Sequence, residues 1–259
     1  MNLPFLSAEH IELFILVLLR VSAIVVTIPV ISEASVPLRI KAALSILITL
    51  IVFPLVLPKI PPPANYPVLI LMYRMAGEVM IGLIIGFSAR IILAGIRMAG
   101  DMIGFQMGFS ISNVIDPMTS EQVSIITELQ YLVAMLVFLA VDAHHIFLSA
   151  IIQSYAVLNP LAFHFSGSLM QFMLNFSKEM FVIALKLAAP IMAVVLFTNV
   201  GLGIVARTVP QINIFIVGMP LHIAVGLVFL GITAPMFLKL TSGLFLNFET
   251  TVITILRLM

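Results

Sequence analysis

The chain has 259 residues, of which 62% are hydrophobic and 9% charged, and its mean hydropathy is +1.26. Soluble globular domains carry about 25% charged residues, so this composition is that of an integral membrane protein. A net charge of +1 gives no indication of nucleic-acid binding, and the absence of cysteine excludes disulfides and thiolate metal sites. Glu9 and Glu12 precede the first apolar run without a basic segment, so we expect no cleaved signal peptide.

The first apolar run predicts a helix over residues 9–31 that carries Arg20 in its interior. A charge in the middle of a membrane span is costly and rarely faces lipid. Two interpretations follow: Arg20 pairs with a neighbouring helix, or it contacts another subunit. A second helix is predicted over residues 40–57. It is followed by the proline-rich stretch I-P-P-P-A-N-Y-P, which predicts a stiff, extended loop.

A third helix is predicted over residues 67–98, with Gly82 and Gly86 as a small face for close helix packing. Arg74 and Glu78 are four residues apart and therefore lie on one helix face. Glu78 has two interpretations, a proton relay in a transporter or a charge neutralised by Arg74 at a subunit contact. The second is favoured, because a relay needs a chain of titratable groups and few others are available.

The stretch at residues 100–117 is unusual for a membrane span. Gly100, Gly104 and Gly108 recur every fourth residue, so on a helix they form a smooth face for close packing of another backbone. The pattern then changes to F-S-I-S-N-V-I-D-P, whose polar residues compete for backbone hydrogen bonds and whose Asp116-Pro117 ends any helix. Irregular backbone at membrane depth is tolerated only where protein encloses it or where it lines a water-filled path. We therefore predict an apolar loop that plugs a pore.

A fourth helix is predicted from residue 119 or 120 to 141, and it ends in D-A-H-H. Asp142, His144 and His145 are metal-ligand types. The i, i+2, i+3 spacing on a helix does not put all three on one face, and no fourth ligand is nearby, so we expect a polar helix end. Two short apolar pieces follow, at residues 146–158 and from 168 onward. Short broken helices are typical of a protein that packs inside a larger assembly.

The last third predicts two helices, over residues 177–206 and 213–238, joined by R-T-V-P-Q-I-N-I-F-I-V-G-M-P-L at residues 207–221. The turn falls at Pro210 and Gln211, and Gly218 with Pro220 predicts a kink in the returning helix. The amides of Gln211 and Asn213 can form hydrogen bonds in a poorly solvated site. We predict a hairpin tip that contacts another subunit, and its residues are Arg207, Pro210, Gln211, Asn213, Gly218 and Pro220.

Two motifs, G-F-Q-M-G-F-S-I-S-N-V-I-D-P at residues 104–117 and R-x-x-P-Q-x-N-x-F-x-x-G-x-P from residue 207, resemble the FliR/SctT family. That family contains export-gate subunits of bacterial type III secretion systems. The resemblance covers essentially the whole chain. It implies a FliP-like region at residues 1–176, containing a plug loop at about 105–118, fused to a FliQ-like helical hairpin at 177–259. The fold class expected is thus an all-α membrane protein with about six to eight broken hydrophobic helices.

The resemblance further implies a flagellar export-gate subunit in the bacterial inner membrane and flagellar basal body. The partners would be FliP and FliQ in one complex, FlhB and FlhA, membrane lipid and unfolded flagellar export substrates, and no cofactor, metal or nucleic acid is expected. The implied plug residues are Phe109, Ile111, Val114 and Ile115. The hinge and packing residues are Gly100, Gly104, Gly108, Asp116 and Pro117, and the polar contacts within the membrane are Arg20, Arg74 and Glu78.

Three alternatives remain at this stage. The first is the corresponding subunit of a virulence secretion system. The second is a proton-coupled secondary transporter that uses Arg74, Glu78, Asp142 and the histidines. The third, an enzyme, is not expected, because the sequence offers no nucleophile, metal or phosphate-binding constellation.

Overall fold

The computed structural model describes residues 8–60, 67–109, 124–158, 165–209, 211 and 213–259. Within these ranges the regular structure is helical and contains no strand, which confirms the predicted all-α class. The helices are α1 (Ala8–Thr27), α2 (Leu38–Val56, followed by a 3-10 turn at Leu57–Lys59), α3 (Val68–Met107), α4 (Ile125–Ala140), α5 (Ala143–Val157), α6 (Gly167–Thr208), α7 (Ile214–Leu246) and α8 (Phe248–Leu258).

Several helices are long and apolar enough to cross a bilayer, which needs about 20 residues. Among the described residues there are five such candidates, or six if α4 and α5 count together as one span. The helices α3 and α6, with 40 and 42 residues, exceed that length about twofold. The prediction of an all-α membrane protein is confirmed.

Three predicted helix boundaries are wrong. The last predicted helix was expected to end near residue 238, whereas α7 continues to Leu246. The third helix was expected to end near residue 98, whereas α3 continues to Met107 and includes Gly100 and Gly104. Separate helical segments were expected to start at residues 168 and 177, whereas α6 is one continuous helix over Gly167–Thr208. Glycine and serine lower helix propensity by at most about 1 kcal/mol each, and tertiary packing readily outweighs that amount.

The chain divides into two compact units that alternate along the sequence. The first contains the described residues up to Arg90, Val141–Phe176 and Phe245–Met259; the second contains Ile91–Ala140 and Ser177–Leu244. In the first unit α1 packs on α2, and α5 packs on α8. The short helix α8 buries Phe248, Val252 and Ile255, whose spacing gives one apolar helix face. The Phe147 and Phe248 rings lie 5.3 Å apart within this contact.

The start of α6 is fixed to the end of α8 within the first unit. The Ser166 hydroxyl donates to the Leu258 carbonyl at 2.7 Å and accepts from the Leu169 N–H at 3.0 Å. Ser166 is therefore an N-cap that satisfies one backbone donor of the first turn of α6. In the second unit the core is built from apolar side chains of α3, α4 and α6, among them Ile96, Ile103, Ile126, Phe138, Ala184 and Val195.

Candidate functional site

A buried ion pair joins α1 and α3 in the first unit. Arg20 donates from Nε to Glu78 Oε2 at 2.5 Å and from Nη2 to Glu78 Oε1 at 3.0 Å, a bidentate geometry. Both side chains are essentially inaccessible, at 0% and 1% exposure. Because neither charge reaches solvent, each depends on the other for its compensation.

Two residues of α5 complete this cluster. The third donor of the guanidinium, Nη1, binds Ser154 Oγ at 2.9 Å, and Arg20 Cζ lies 3.8 Å from the centroid of the Tyr155 ring. The Tyr155 hydroxyl lies 3.4 Å from Glu78 Oε2 as a long hydrogen bond. We call Arg20, Glu78, Ser154 and Tyr155 the Arg20 cluster. It holds three helices together around one charge pair.

The partner of Glu78 differs from the one that the sequence spacing favoured. The four-residue spacing predicted that Glu78 pairs with Arg74 on the same helix. In the structure both carboxylate oxygens of Glu78 accept from Arg20 of α1. Arg74 Nη1 lies 3.9 Å from Glu12 Oε1, again between α3 and α1. Spacing within one helix predicts which side chains are neighbours on its surface, but it gives no information on the helix that packs against them. Ser154 and Tyr155 were missed because nothing local marks them as partners of Arg20.

Close packing of α3 on α1 explains why these charges meet. A Cβ atom added at Gly82 would lie 2.6 Å from Ala23 Cβ and 2.8 Å from the Arg20 carbonyl oxygen. One added at Gly86 would overlap Thr27. The small face expected at Gly82 and Gly86 is thus the contact with α1. Glu78 lies one turn before this contact, next to Arg20.

A second glycine face joins α3 to α4 in the second unit. A Cβ atom at Gly100 would lie 2.5 Å from Thr127 Cα, and one at Gly104 would overlap Ser124. The Thr127 hydroxyl donates to Asp101 Oδ1 at 2.7 Å. One turn earlier, the Arg97 guanidinium lies 3.7 Å from the centroid of the Tyr131 ring. The last turns of α3 are therefore held tightly against the first turns of α4.

The helix α3 ends at Met107 and is followed by Gly108. The φ of Gly108, 89°, is left-handed, a conformation that glycine adopts without steric penalty. The Gly108 N–H binds the Phe105 carbonyl at 3.1 Å, and the Phe109 N–H binds the Gly104 carbonyl at 2.9 Å. These two bonds form a complete Schellman motif. Gly108 therefore does not extend the packing face of Gly100 and Gly104 but terminates the helix.

The predicted plug segment lies largely outside the described residues. This applies to five of its predicted residues, Ile111, Val114, Ile115, Asp116 and Pro117, whereas Phe109 is described and half-buried. The flanks of residues 110–123 are described. Gly104, in the last turn of α3, contacts Ser124, which directly precedes α4. The two flanks of the 110–123 segment therefore lie close to each other.

The hairpin tip between α6 and α7 is exposed. Arg207 is exposed at the end of α6, and Gln211 and Asn213 are exposed beyond it, while Pro210 lies outside the described residues. Asn213 Oδ1 accepts from the Ile216 N–H at 3.4 Å, which makes it the cap of α7. The helix α7 runs without a break through buried Gly218 and exposed Pro220 to Leu246, and the kink there stays a prediction.

Asp142, His144 and His145 lie together at the start of α5. Their ligand atoms all lie within 4.8 Å of one another, so the argument from helix spacing that separated them is wrong. The reason is that Asp142 precedes the helix with a left-handed φ of 53°. The carboxylate therefore does not follow the helix period.

A family model described as "Bacterial export proteins, family 1" matches residues 11–248. This range contains the Arg20 cluster, both glycine faces and the hairpin tip. The chain belongs to this family. The resemblance to FliR that was drawn from two motifs is also confirmed. In this member of the export protein family, small and hydroxyl-bearing residues bring the two flanks of the 110–123 segment together.

Curated relatives cover most of the chain. A "Flagellar biosynthetic protein FliR" of Bacillus subtilis is 37% identical over 222 residues, which are 84% of each chain. One of Caulobacter vibrioides is 31% identical over 236 residues, covering 88% of this chain and 91% of the relative. One of Escherichia coli is 29% identical over 231 residues, covering 88% and 86%. The similarity therefore extends over most of the chain rather than being confined to one motif.

Proposed function

We propose that this chain is a subunit of the flagellar type III protein export gate. In this proposal it forms, with FliP and FliQ, a pore for unfolded flagellar proteins in the bacterial inner membrane, and it works with FlhB and FlhA. Its role is structural rather than enzymatic. Membership of the bacterial export protein family and the similarity to flagellar FliR proteins support this.

The contact at the base of the 110–123 segment carries the proposal of a plug. The Schellman motif at Gly108 stops α3, and the contact of Gly104 with Ser124 ties the return of the chain to the same point. The 14 residues between these anchors include Ile111, Val114 and Ile115. An apolar constriction blocks water and ions by dewetting, without any catalytic group. A plug that is held firmly at both flanks suits a gate that is displaced by a passing chain.

Exposed apolar surface supports the proposal of a larger assembly. Apolar side chains along α6 and α7 are 56–72% exposed, among them Leu196, Phe197, Val200, Ile204, Ile216 and Ile232. So many exposed apolar side chains indicate lipid or another protein as their neighbour. We propose that residues 177–259, the FliQ-like hairpin, present this apolar surface to neighbouring subunits. The exposed tip at Arg207, Gln211 and Asn213 would form a further, polar contact with them.

Deletion of residues 109–114 tests the plug. The variant is co-expressed with FliP and FliQ in bacterial cells, and inner-membrane leakage is followed with a cytoplasmic pH reporter after an external acid pulse. We expect rapid acidification for the deletion but slow acidification for the wild type. Deleting six residues at 61–66, in the proline-rich stretch, is the matched control and should leave permeability unchanged.

Two outcomes count against the proposal. If cells carrying the 109–114 deletion acidify as slowly as the wild type while the complex still assembles, the segment is not the plug. If the chain alone, in proteoliposomes, couples proton movement to uptake of a solute, it is a transporter. The transporter alternative relied on Glu78 as a relay, yet both oxygens of that carboxylate are occupied by Arg20.

A further inference from the structure

We infer that Asp142, His144 and His145 form a binding site for a transition-metal dication of the Zn²⁺ type. Their ligand atoms lie within 4.8 Å of one another at the first turn of α5, in the first unit. His144 Nε2 lies 4.0 Å from Asp142 Oδ1, and the two imidazole rings are 4.3 Å apart between centroids. We call these three residues the His-Asp cluster.

Helix capping does not explain this arrangement. Asp142 occupies the N-cap position of α5, where an aspartate carboxylate ordinarily accepts a backbone N–H of the first turn. Here its side chain makes no capping hydrogen bond. Its left-handed φ of 53° directs the chain so that the carboxylate lies near the imidazole of His144 instead. Aspartate tolerates this conformation better than most residues, but the conformation is still uncommon outside glycine.

An ordinary ion pair is also a poor explanation. The 4.0 Å between His144 Nε2 and Asp142 Oδ1 is too long for a hydrogen bond. The Asp142 side chain is 70% exposed, and an exposed pair at this distance contributes little to stability. The His144 and His145 rings lie 4.3 Å apart between centroids and are tilted by 57°, so they are close to each other without stacking. A bound cation accounts for two imidazoles and one carboxylate whose ligand atoms lie within 4.8 Å of one another.

The donor set selects the metal. Two imidazoles and one carboxylate suit Zn²⁺, Co²⁺, Ni²⁺ or Cu²⁺, whereas Mg²⁺ and Ca²⁺ prefer oxygen ligands alone. Bonds of about 2.0–2.2 Å to a tetrahedral Zn²⁺ separate the ligand atoms by roughly 3.4 Å. The widest separation must therefore shorten by roughly 1.4 Å, which rotation of exposed side chains can supply. The fourth position would remain open to water or to a group from a neighbouring molecule.

A metal ion at this site would restrain the backbone just before and in the first turn of α5. Asp142 lies before α5, while His144 and His145 lie in its first turn. A metal ion that joins them fixes the backbone at the start of α5. The cluster shares no residue with the 110–123 segment or with the Arg20 cluster, so this inference does not depend on the proposed export function.

Metal binding by the full chain tests the inference. The chain is purified in detergent with an affinity tag that contains no histidine, stripped with EDTA and titrated with Co²⁺, whose visible absorption reports coordination. Zn²⁺ is then added as competitor. We expect one ion per chain and displacement of Co²⁺ by Zn²⁺. Asp142→Asn and His145→Gln should each weaken binding by about tenfold or more, since even changes to groups beyond the metal ligands have effects of this size.

The controls distinguish this site from adventitious binding. Asparagine also tolerates the left-handed conformation, so Asp142→Asn should fold. His145 is exposed, so His145→Gln is not expected to disturb packing. His222→Gln removes a histidine on α7 and should leave Co²⁺ affinity unchanged. If the wild type takes up neither Co²⁺ nor Zn²⁺, or if the two cluster variants bind as the wild type does, the inference is wrong.

Discussion

Replacing Glu78 with glutamine should destabilise the folded chain far more than replacing Glu12, which lies near Arg74 between the same two helices. The substitution keeps the size of the side chain but leaves the guanidinium of Arg20 at 0% exposure without its counter-charge. Two charge-assisted hydrogen bonds, at 2.5 and 3.0 Å, are weakened at once. Removing one partner of a buried ion pair lowers the free energy of unfolding by about 3–5 kcal/mol.

The double variant Arg20→Met with Glu78→Leu should be closer to the wild type than the sum of the single variants. With both charges gone no buried charge remains uncompensated. Ser154 keeps its hydrogen bond to the Ile151 carbonyl at 2.7 Å. The buried Tyr155 hydroxyl loses its acceptor, which costs about 1–3 kcal/mol. We therefore expect the double variant to lose about 1–3 kcal/mol, against roughly 6–10 kcal/mol for two additive single changes.

Unfolding in detergent micelles, followed by helical circular dichroism against denaturant, measures these differences. Glu12→Gln is the matched control, because Glu12 is 26% exposed and lies 3.9 Å from Arg74. It should cost about 1 kcal/mol or less. The reasoning is refuted if Glu78→Gln costs no more than this control, or if the losses at Arg20 and Glu78 simply add.

Two further predictions concern glycines of α3 and α7 and use the same unfolding measurement. Gly100→Ala should lower the free energy of unfolding by about 1–3 kcal/mol, because the new Cβ would lie 2.5 Å from the backbone of α4. Gly226→Ala should lower it clearly less, because the new Cβ would meet the flexible side chain of Met107. Equal losses at the two sites would contradict the close packing of α3 on α4. Gly108→Ala should cost about 1–2 kcal/mol through its φ of 89°, and an unchanged free energy of unfolding would show that the Schellman motif is not needed.

The amino-acid sequence alone determined the membrane class, the helical fold and the family. Composition and apolar run length decide whether a chain enters a membrane, and both are local properties. The four-residue spacing of Gly82 and Gly86, and of Gly100 and Gly104, also marked in advance the faces used for helix packing. Such a face is a property of one helix, so its spacing reveals it without any knowledge of the partner.

Only the tertiary structure decided which partners meet. Arg20 and Glu78 are 58 residues apart in the chain, and Ser154 lies 134 residues from Arg20. Their pairing depends on how three helices pack, which spacing within any one helix does not specify. The left-handed turn at Asp142 likewise brought together residues that helix periodicity separates. The end of α3 at Met107 was set by packing against α4 and by the turn at Gly108, because these outweigh the small propensity differences that local sequence reports.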